Sequence, residues 1–171
     1  MNIQDYIRIV PDFPKAGINF YDIATLLAEP AVWRETIARL YTLAESYRAD
    51  MVLGIESRGF LVALPLAMEL GCGFAMIRKK GKLPGRVLGY RYALEYGEDE
   101  IEIQPDMIPE GAKILLVDDL LATGGTMSAA ENLVTQAGAQ VVGHLCIVEL
   151  EGLGGRDKLK APFESLLQCP A

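Results

Sequence analysis

The sequence predicts an α/β fold in which a mainly parallel, twisted sheet is flanked by helices. Short apolar segments, which are typical of buried strands, alternate with longer segments whose apolar residues recur at helical spacing. One apolar segment, residues 114–117, leads directly into two carboxylates and then into a glycine-containing turn that opens a helix. With 171 residues, of which 51% are hydrophobic, the chain is long enough to form a single domain over 1–171 with its own core.

The individual elements follow from the local pattern. Apolar runs predict core strands at 51–55, 74–77, 113–117 and 141–150, and an edge strand at 163–168. Apolar residues at helical spacing, together with glycines and prolines that end a helix, predict helices at 3–10, 31–47, 60–70 and 125–137. Residues 90–96 and 101–103 are expected to pair as antiparallel strands around Gly97.

The order of these elements predicts where a ligand binds. In an open, mainly parallel sheet, ligands bind beyond the carboxyl ends of the strands. Three loops follow such strand ends: those after Ile55, Ile77 and Val117. We therefore expect these loops to converge on one site.

The loop after Val117 carries the most informative chemistry. Asp118 and Asp119 can accept hydrogen bonds from two neighbouring hydroxyls or help to bind a divalent cation. The turn Ala122-Thr123-Gly124-Gly125-Thr126 follows, and amides at a helix start favour an anion. Each half is common loop chemistry, but together they match the hydroxyls and the phosphate of a sugar phosphate. The chain has neither a Gly-Lys-Ser/Thr phosphate loop nor a Gly-x-Gly-x-x-Gly dinucleotide motif.

One other interpretation of the paired acids is possible. A phospho-acceptor pocket of the receiver-domain type also uses acids after a strand. Such a pocket generally takes its acids from separate loops and adds a lysine from a distant strand. The adjacent threonine–glycine turn therefore favours the sugar-phosphate interpretation.

The loop after Ile55 is Glu56-Ser57-Arg58-Gly59. Its amides can bind an anion, and Arg58 adds a fixed positive charge. Taken alone, the segment is more simply a helix start with a surface arginine.

The loop after Ile77 opens a concentrated basic segment. No acidic residue occurs between Glu69 and Glu95, although the chain has a net charge of -7. Glycines and prolines interrupt the basic segment, which suits a mobile loop better than a rigid helix. A run of charges is usually a solvated face, but it could also close over an anionic group. Its cations are Arg78, Lys79, Lys80, Lys82, Arg86 and Arg91.

These motifs together resemble the type I phosphoribosyltransferases, and most of all the adenine phosphoribosyltransferases. The resemblance rests on Val-Asp-Asp-Leu-Leu-Ala-Thr-Gly-Gly-Thr at 117–126, Arg-Lys-Lys-Gly-Lys-Leu-Pro-Gly at 78–85 and Leu-Glu-Tyr-Gly at 94–97. Residues 11–22 add a further match. The resemblance spans nearly the whole chain, from Phe13 to Gln168.

The resemblance implies a role for each segment. Asp118 and Asp119 would hold the ribose hydroxyls of phosphoribosyl pyrophosphate, and Ala122, Thr123, Gly124, Gly125 and Thr126 its 5′-phosphate. Residues 78–92 would form a mobile lid, and the Glu56–Ser57 peptide bond would be cis. The residues that would face pyrophosphate are Glu56, Ser57, Arg58, Arg78, Lys79, Lys80 and Lys82.

The resemblance also implies a binding site for the base. Residues 1–30 would form a hood over it, and Glu95 would share a proton with the purine ring, although Glu95 also begins an acidic run that could simply be solvated. The remaining base contacts would be Ile18, Asn19, Phe20, Tyr21 and Leu120.

The implied reaction converts adenine and phosphoribosyl pyrophosphate into AMP and pyrophosphate. Catalysis is expected to depend on Glu95, Asp118, Asp119 and Arg58. Mg²⁺ would be held mainly by substrate oxygens, with Asp118 and Asp119 as the nearest protein groups. Family members are commonly homodimers. Two alternatives stay open: a phosphoribosyltransferase for another purine, such as xanthine or hypoxanthine, and a sensor that binds phosphoribosyl pyrophosphate without chemistry.

Composition excludes several other classes. The acidic balance argues against nucleic-acid binding, and no uninterrupted apolar stretch could span a membrane. We expect no signal peptide and, from three widely spaced cysteines, neither a zinc site nor a disulfide framework, which fits a cytoplasmic protein. His144, the only histidine, is expected to be a packed core or interface residue rather than a catalytic group.

Overall fold

The computed structural model describes residues 1–94 and 96–171, so the predicted role of Glu95 falls outside the described residues. The helices are α1 (Ala24–Leu27), α2 (Pro30–Ala44), α3 (Arg58–Leu70) and α4 (Gly125–Gln136). The strands are β1 (Arg8–Val10), β2 (Phe20–Asp22), β3 (Met51–Ile55), β4 (Gly73–Lys79), β5 (Leu88–Leu94), β6 (Gly97–Ile103), β7 (Lys113–Leu121), β8 (Gln140–Glu151) and β9 (Phe163–Pro170).

Seven strands form the central sheet, in the order β5-β6-β4-β3-β7-β8-β9. The five strands from β4 to β9 in this order are parallel, whereas β5 and β6 form an antiparallel hairpin beside β4. The chain passes from β3 to β4 on one side of the sheet and later returns to β7 on the other. The strand order therefore reverses between β3 and β7, which opens a crevice at their carboxyl ends.

The core lies in two layers, one on each face of this sheet. Val52 packs with α2 and α3, whereas its neighbour Leu53 packs with α4 on the other face. Successive side chains of a strand point to opposite faces, so a strand buried on both sides must be apolar at every position. This explains why the core strands are continuous apolar runs, and it confirms the predicted fold class.

The N-terminal segment differs from the prediction. A helix over 3–10 is wrong: residues Ile3–Tyr6 form one 3₁₀ turn, and β1 then pairs with β2 as a separate two-stranded sheet. The ion pair between Arg8 and Asp22 links the two strands. The helical spacing of apolar residues did not decide the conformation here, because the 3₁₀ turn and the strand that follows it bury Ile3 and Ile7 against the main core.

The β5–β6 hairpin confirms the antiparallel pair expected around Gly97. Its strands are in register from Leu88 opposite Ile103 to Leu94 opposite Gly97. The hairpin packs on α4, where Asn132 Nδ2 donates to the Tyr90 hydroxyl over 3.3 Å. Within the described residues, no helix has the length and apolar content needed to cross a membrane.

His144 lies in the core, as expected. Its side chain is fully buried on β8, and its Nε2 lies 3.1 Å from Glu131 Oε2 on α4. Since Glu131 also accepts from the backbone amides of Lys160 and Ala161, this carboxylate ties β8 and the segment before β9 to α4. The carboxylate is an acceptor, so Nε2 carries the imidazole proton and Nδ1, which has no partner among the described residues, does not.

We predict that His144 makes the stability depend on pH. Burial lowers the pKa of His144 from its ordinary value of 6.5, although the Glu131 carboxylate acts in the opposite direction. Below pH 6.5 the unfolded chain therefore binds a proton that the folded protein excludes. As the pH is lowered through this range, the free energy of unfolding falls by at most about 1.4 kcal/mol per pH unit.

Urea unfolding between pH 5.5 and pH 7.5, at intervals of roughly half a unit, measures this slope. His144→Gln keeps a donor toward Glu131 but cannot titrate, so it should lose that part of the pH dependence. An identical pH profile in both proteins would contradict the prediction.

Candidate active site

A cavity of about 470 Å³ lies at the carboxyl edge of the sheet, at the crevice between β3 and β7. All three loops predicted to converge contribute to it. The site-forming residues that line it are Glu56, Ser57, Arg58, Lys79, Tyr92, Asp118, Asp119, Leu120, Ala122, Thr123, Gly124, Gly125 and Thr126.

The paired acids occupy the end of a strand rather than the start of a loop. β7 continues through Asp118 and Asp119 to Leu121, because its backbone remains paired with β8. The Asp119 amide donates to Asp118 Oδ1 over 2.8 Å, and Asp119 itself is only 4% exposed. The prediction that the strand ends at residue 117 is therefore wrong, although both acids do reach the cavity.

Arg58 provides the positive charge beside these acids. Its Nε lies 2.9 Å from Asp119 Oδ2, an ion-pair distance. The N–H is not aligned for a hydrogen bond, however, so Oδ2 remains buried without a hydrogen-bond donor among the described residues. A buried carboxylate oxygen at a cavity wall that accepts no hydrogen bond suits a ligand hydroxyl.

The two acids differ in their electrostatics. Burial, and then the neighbouring charge of Asp119, raise the pKa of Asp118 well above its usual range. The like charge beside it therefore disfavours the ionised form of Asp118. A cation or a hydroxyl donor placed beside Asp118 would stabilise that form.

Gly59 allows the start of α3 to approach the end of β7. A Cβ atom at this position would lie 2.7 Å from Asp118 Oδ1 and 3.1 Å from the Val117 carbonyl oxygen. Earlier in the same loop, the peptide bond between Glu56 and Ser57 is cis, as the family resemblance implies. The Glu56 carboxylate points toward β4, where it accepts from the Lys79 amide over 2.8 Å.

The threonine–glycine turn forms an open cradle at the start of α4. Gly124 has φ +80°, and a Cβ there would clash with the Gly155 carbonyl, so a neighbouring loop supports the turn from behind. At the next residue, Gly125, an added Cβ would meet nothing within 4 Å. The first amides of a helix lack intrahelical partners, so this open space is suited to an anion.

Only some of the cations predicted to face pyrophosphate lie at the cavity. Arg58 and Lys79 line the cavity, but Arg78, Lys80 and Lys82 are not among its lining residues. Most of these cations are paired with acids: Lys79 with Asp99 at 2.6 Å, Lys80 with Glu100 at 3.0 Å, and Arg78 with Glu56 at 3.3 Å.

The residues predicted to contact the base also lie in different environments. Leu120 lines the cavity, and the Phe20 ring lies beneath the Arg58 guanidinium at 4.7 Å. Ile18 and Asn19 are exposed. Tyr21 differs from its neighbours because its side chain is buried in the core and its hydroxyl donates to the Pro170 carbonyl over 2.6 Å, which leaves only its backbone for a ligand.

Sequence reasoning missed two residues that shape the cavity. Tyr92 reaches it from β5, with its hydroxyl 3.0 Å from Thr126 Oγ1. Gly155 packs behind the threonine–glycine turn. Neither belongs to a recognisable motif, and both act through contacts between segments that are distant in sequence.

A metal ion would have few protein ligands at this site. Among residues 1–94 and 96–171, no group of three or more His, Cys, Asp or Glu side chains is arranged to hold a metal. Asp118 and Asp119 would offer carboxylate oxygens to a Mg²⁺ ion that enters with a substrate.

Known proteins are similar to this chain in sequence and architecture. Residues 22–169 match the phosphoribosyl transferase domain. Adenine phosphoribosyltransferase of Rhodospirillum rubrum is 54% identical over 167 residues, which cover 98% of both chains. The crystal structure of adenine phosphoribosyltransferase from Thermoanaerobacter pseudethanolicus has a TM-score of 0.95 and 43% identity, with 98% of each chain covered.

The Saccharomyces cerevisiae enzyme, complexed with an imino-altritol bisphosphate and adenine, has a TM-score of 0.93 and 39% identity, with 96% of each chain covered. These matches extend through the cavity and both core layers. The chain belongs to the phosphoribosyltransferase family, and within it to the adenine phosphoribosyltransferases.

Proposed function

We propose that this protein is a purine salvage enzyme that transfers the phosphoribosyl group of phosphoribosyl pyrophosphate to adenine. In this reaction a bond forms between purine N9 and ribose C1, the bond from C1 to pyrophosphate oxygen breaks, and the N9 proton is released. The observation that carries the proposal is the placement of two carboxylates and an anion cradle in one 470 Å³ cavity. A sugar phosphate has the complementary groups at its two ends.

The ribose end of the substrate is assigned to the paired acids. Asp118 and Asp119 would accept from the 2′ and 3′ hydroxyls, and the amides of residues 122–126 with the Thr123 and Thr126 hydroxyls would hold the 5′-phosphate. Holding both ends fixes C1 relative to the base and the leaving group, which is the main contribution a protein makes to such a transfer.

The leaving group is assigned to the cationic side of the cavity. Arg58, Lys79 and the amides after Glu56 would face pyrophosphate and stabilise its charge as the bond to C1 breaks. When bound with the substrate, Mg²⁺ would neutralise part of the same charge. We propose that residues 80–87, between β4 and β5, form the moving part of the lid and bring Lys80 and Lys82 toward the cavity.

The base is assigned to the hood, residues 1–30. Phe20, Ile18, the backbone at Asn19 and Tyr21, and Leu120 would surround the purine. The yeast relative crystallised with adenine supports adenine as the base. By family resemblance Glu95 would share a proton with the purine ring as N9 attacks C1.

We also propose that two copies of the chain form a homodimer in the cytoplasm. An exposed apolar stripe on α3 supports the dimer: Leu61, Leu64 and Met68 are 49%, 46% and 74% exposed at helical spacing. The three unpaired cysteines suit a reducing compartment. A monomer in equilibrium sedimentation would contradict the dimer, and recovery outside the cytoplasmic fraction would contradict the location.

The direct test is pyrophosphate release from phosphoribosyl pyrophosphate with adenine, hypoxanthine, guanine or xanthine, each with and without Mg²⁺. We expect turnover with adenine that falls when Mg²⁺ is chelated, and little turnover with the other bases. Turnover with xanthine or hypoxanthine but not adenine would favour the alternative base. Substrate binding without turnover of any base would favour a sensor.

Replacing either paired acid should impair use of phosphoribosyl pyrophosphate. Asp119→Asn removes a charged acceptor from the proposed ribose site, so we expect kcat/KM for phosphoribosyl pyrophosphate to fall roughly 10- to 100-fold. Asp118→Asn should act in the same direction.

Asp106→Asn, which changes an exposed acid in a surface 3₁₀ turn, is the matched control and should leave kcat/KM unchanged. Circular dichroism would verify that each variant is folded. Full activity in both site variants would remove the ribose assignment.

Replacing Glu95 should affect turnover more than binding. Glu95→Gln keeps the size of the side chain but cannot accept the proton, so kcat should fall by roughly 100-fold with little change in KM for adenine. Glu98→Gln, a nearby exposed acid in β6, should behave like the wild type. An unchanged kcat in Glu95→Gln would show that the proton follows another path.

A further inference from the structure

Tyr92 contacts both sides of the cavity. Its hydroxyl lies 3.0 Å from Thr126 Oγ1 in the threonine–glycine turn and 3.4 Å from Asp99 Oδ2 on β6. Asp99 Oδ2 is also 2.6 Å from Lys79 Nζ. One chain of hydrogen bonds therefore runs from a cation in the cavity wall to a hydroxyl in the proposed phosphate cradle.

The hairpin register explains why this chain exists. Tyr92 and Asp99 lie directly opposite each other in the β5–β6 pair, where side chains of opposite residues are neighbours. β5 packs along α4, and this packing brings the phenol to the first turn of that helix. The contact is therefore built by the sheet and does not depend on a flexible surface side chain.

The chemistry of the groups determines the direction of the hydrogen bonds. Asp99 is an acceptor when ionised, so when Tyr92 donates its one proton to Asp99, Thr126 must be the donor in the contact between the two hydroxyls. An anion beside Thr126 also needs a donor. When Thr126 turns its proton toward the anion, the Tyr92 proton becomes the donor to Thr126 Oγ1, and the longer contact with Asp99 is given up.

A threonine in a helix occupies either of two side-chain rotamers, because its hydroxyl can also turn back toward the preceding carbonyl groups. The phenol of Tyr92 stabilises the rotamer whose Oγ1 lies at the cavity. Burial raises the pKa of Tyr92, so the phenol keeps its proton at neutral pH and remains able to donate.

We propose that Tyr92 is a positioning residue: it holds the Thr126 hydroxyl ready for the 5′-phosphate, and before an anion binds it also contacts Asp99, the partner of Lys79 on the pyrophosphate side. This inference rests on the proposed function. The inference adds to the proposed function a residue that affects sugar-phosphate affinity without itself touching the reacting atoms.

The test compares Tyr92→Phe with wild type in calorimetric binding of ribose 5-phosphate and in steady-state kinetics. Losing one hydrogen bond that orients a ligand group should weaken ribose 5-phosphate binding about three- to tenfold. KM for phosphoribosyl pyrophosphate should rise by a similar factor, whereas kcat and KM for adenine should change less than about twofold.

Tyr90→Phe is the matched control. It removes a hydroxyl from the same strand, two residues away, that also bonds to α4 but lies outside the cavity lining. If Tyr92 served only to dock the hairpin on α4, the two variants would have similar effects on binding, and that result would overturn the inference.

A double-mutant cycle tests whether Tyr92 acts through Thr126. In a Thr126→Val background, Tyr92→Phe should have no further effect on ribose 5-phosphate affinity. Additive effects would overturn the inference.

Measurements on the wild type distinguish a failure of the proposed function from a failure of this inference alone. If it neither binds ribose 5-phosphate nor uses phosphoribosyl pyrophosphate, the proposed function fails and the inference fails with it. If the wild type is active and Tyr92→Phe matches it, only the inference fails.

Discussion

The site depends on the close approach between the start of α3 and the end of β7. Gly59 permits this approach, because any side chain there would meet Asp118 and the Val117 carbonyl. The approach places Arg58 against Asp119 on one side and over the Phe20 ring on the other. A single guanidinium thus contacts both Asp119 and the N-terminal hood. If α3 were displaced by the width of a methyl group, these contacts would be lost together.

Charge pairing is the second feature of the cavity. The basic segment lies beside β6, whose acids Asp99 and Glu100 pair with Lys79, Lys80 and Arg91. These pairs involve exposed lysine and arginine side chains, and exposed ion pairs contribute only about 0–1 kcal/mol each. A multiply charged anion in the cavity can therefore compete with Asp99 for Lys79, which lines the cavity. Because these ion pairs are weak, they hold the basic segment in place only loosely, which suits the proposed lid.

Much of the fold could be predicted because it follows from local sequence patterns, namely the spacing of apolar residues and the positions of turn residues. The strand at 51–55 and the hairpin around Gly97 were predicted from apolar runs and turn residues, and both are present. The N-terminal helix was wrong because pairing with β2, a contact between segments apart in sequence, decided its conformation. The extension of β7 to Leu121 was missed for the same reason, since pairing with β8 carries the strand past its acidic residues.

The amino-acid sequence specifies the chemical groups available at the site: paired acids at a strand end, a threonine–glycine turn and a basic segment. The partners of these groups depend on how the chain folds in three dimensions. The tertiary structure pairs Arg58 with Asp119, buries the Tyr21 side chain, and brings Tyr92 to Thr126. The physical reason is that residue type and spacing specify local conformation and charge, whereas contacts across 30 or more positions, such as the 34 from Tyr92 to Thr126, depend on the strand order of the sheet.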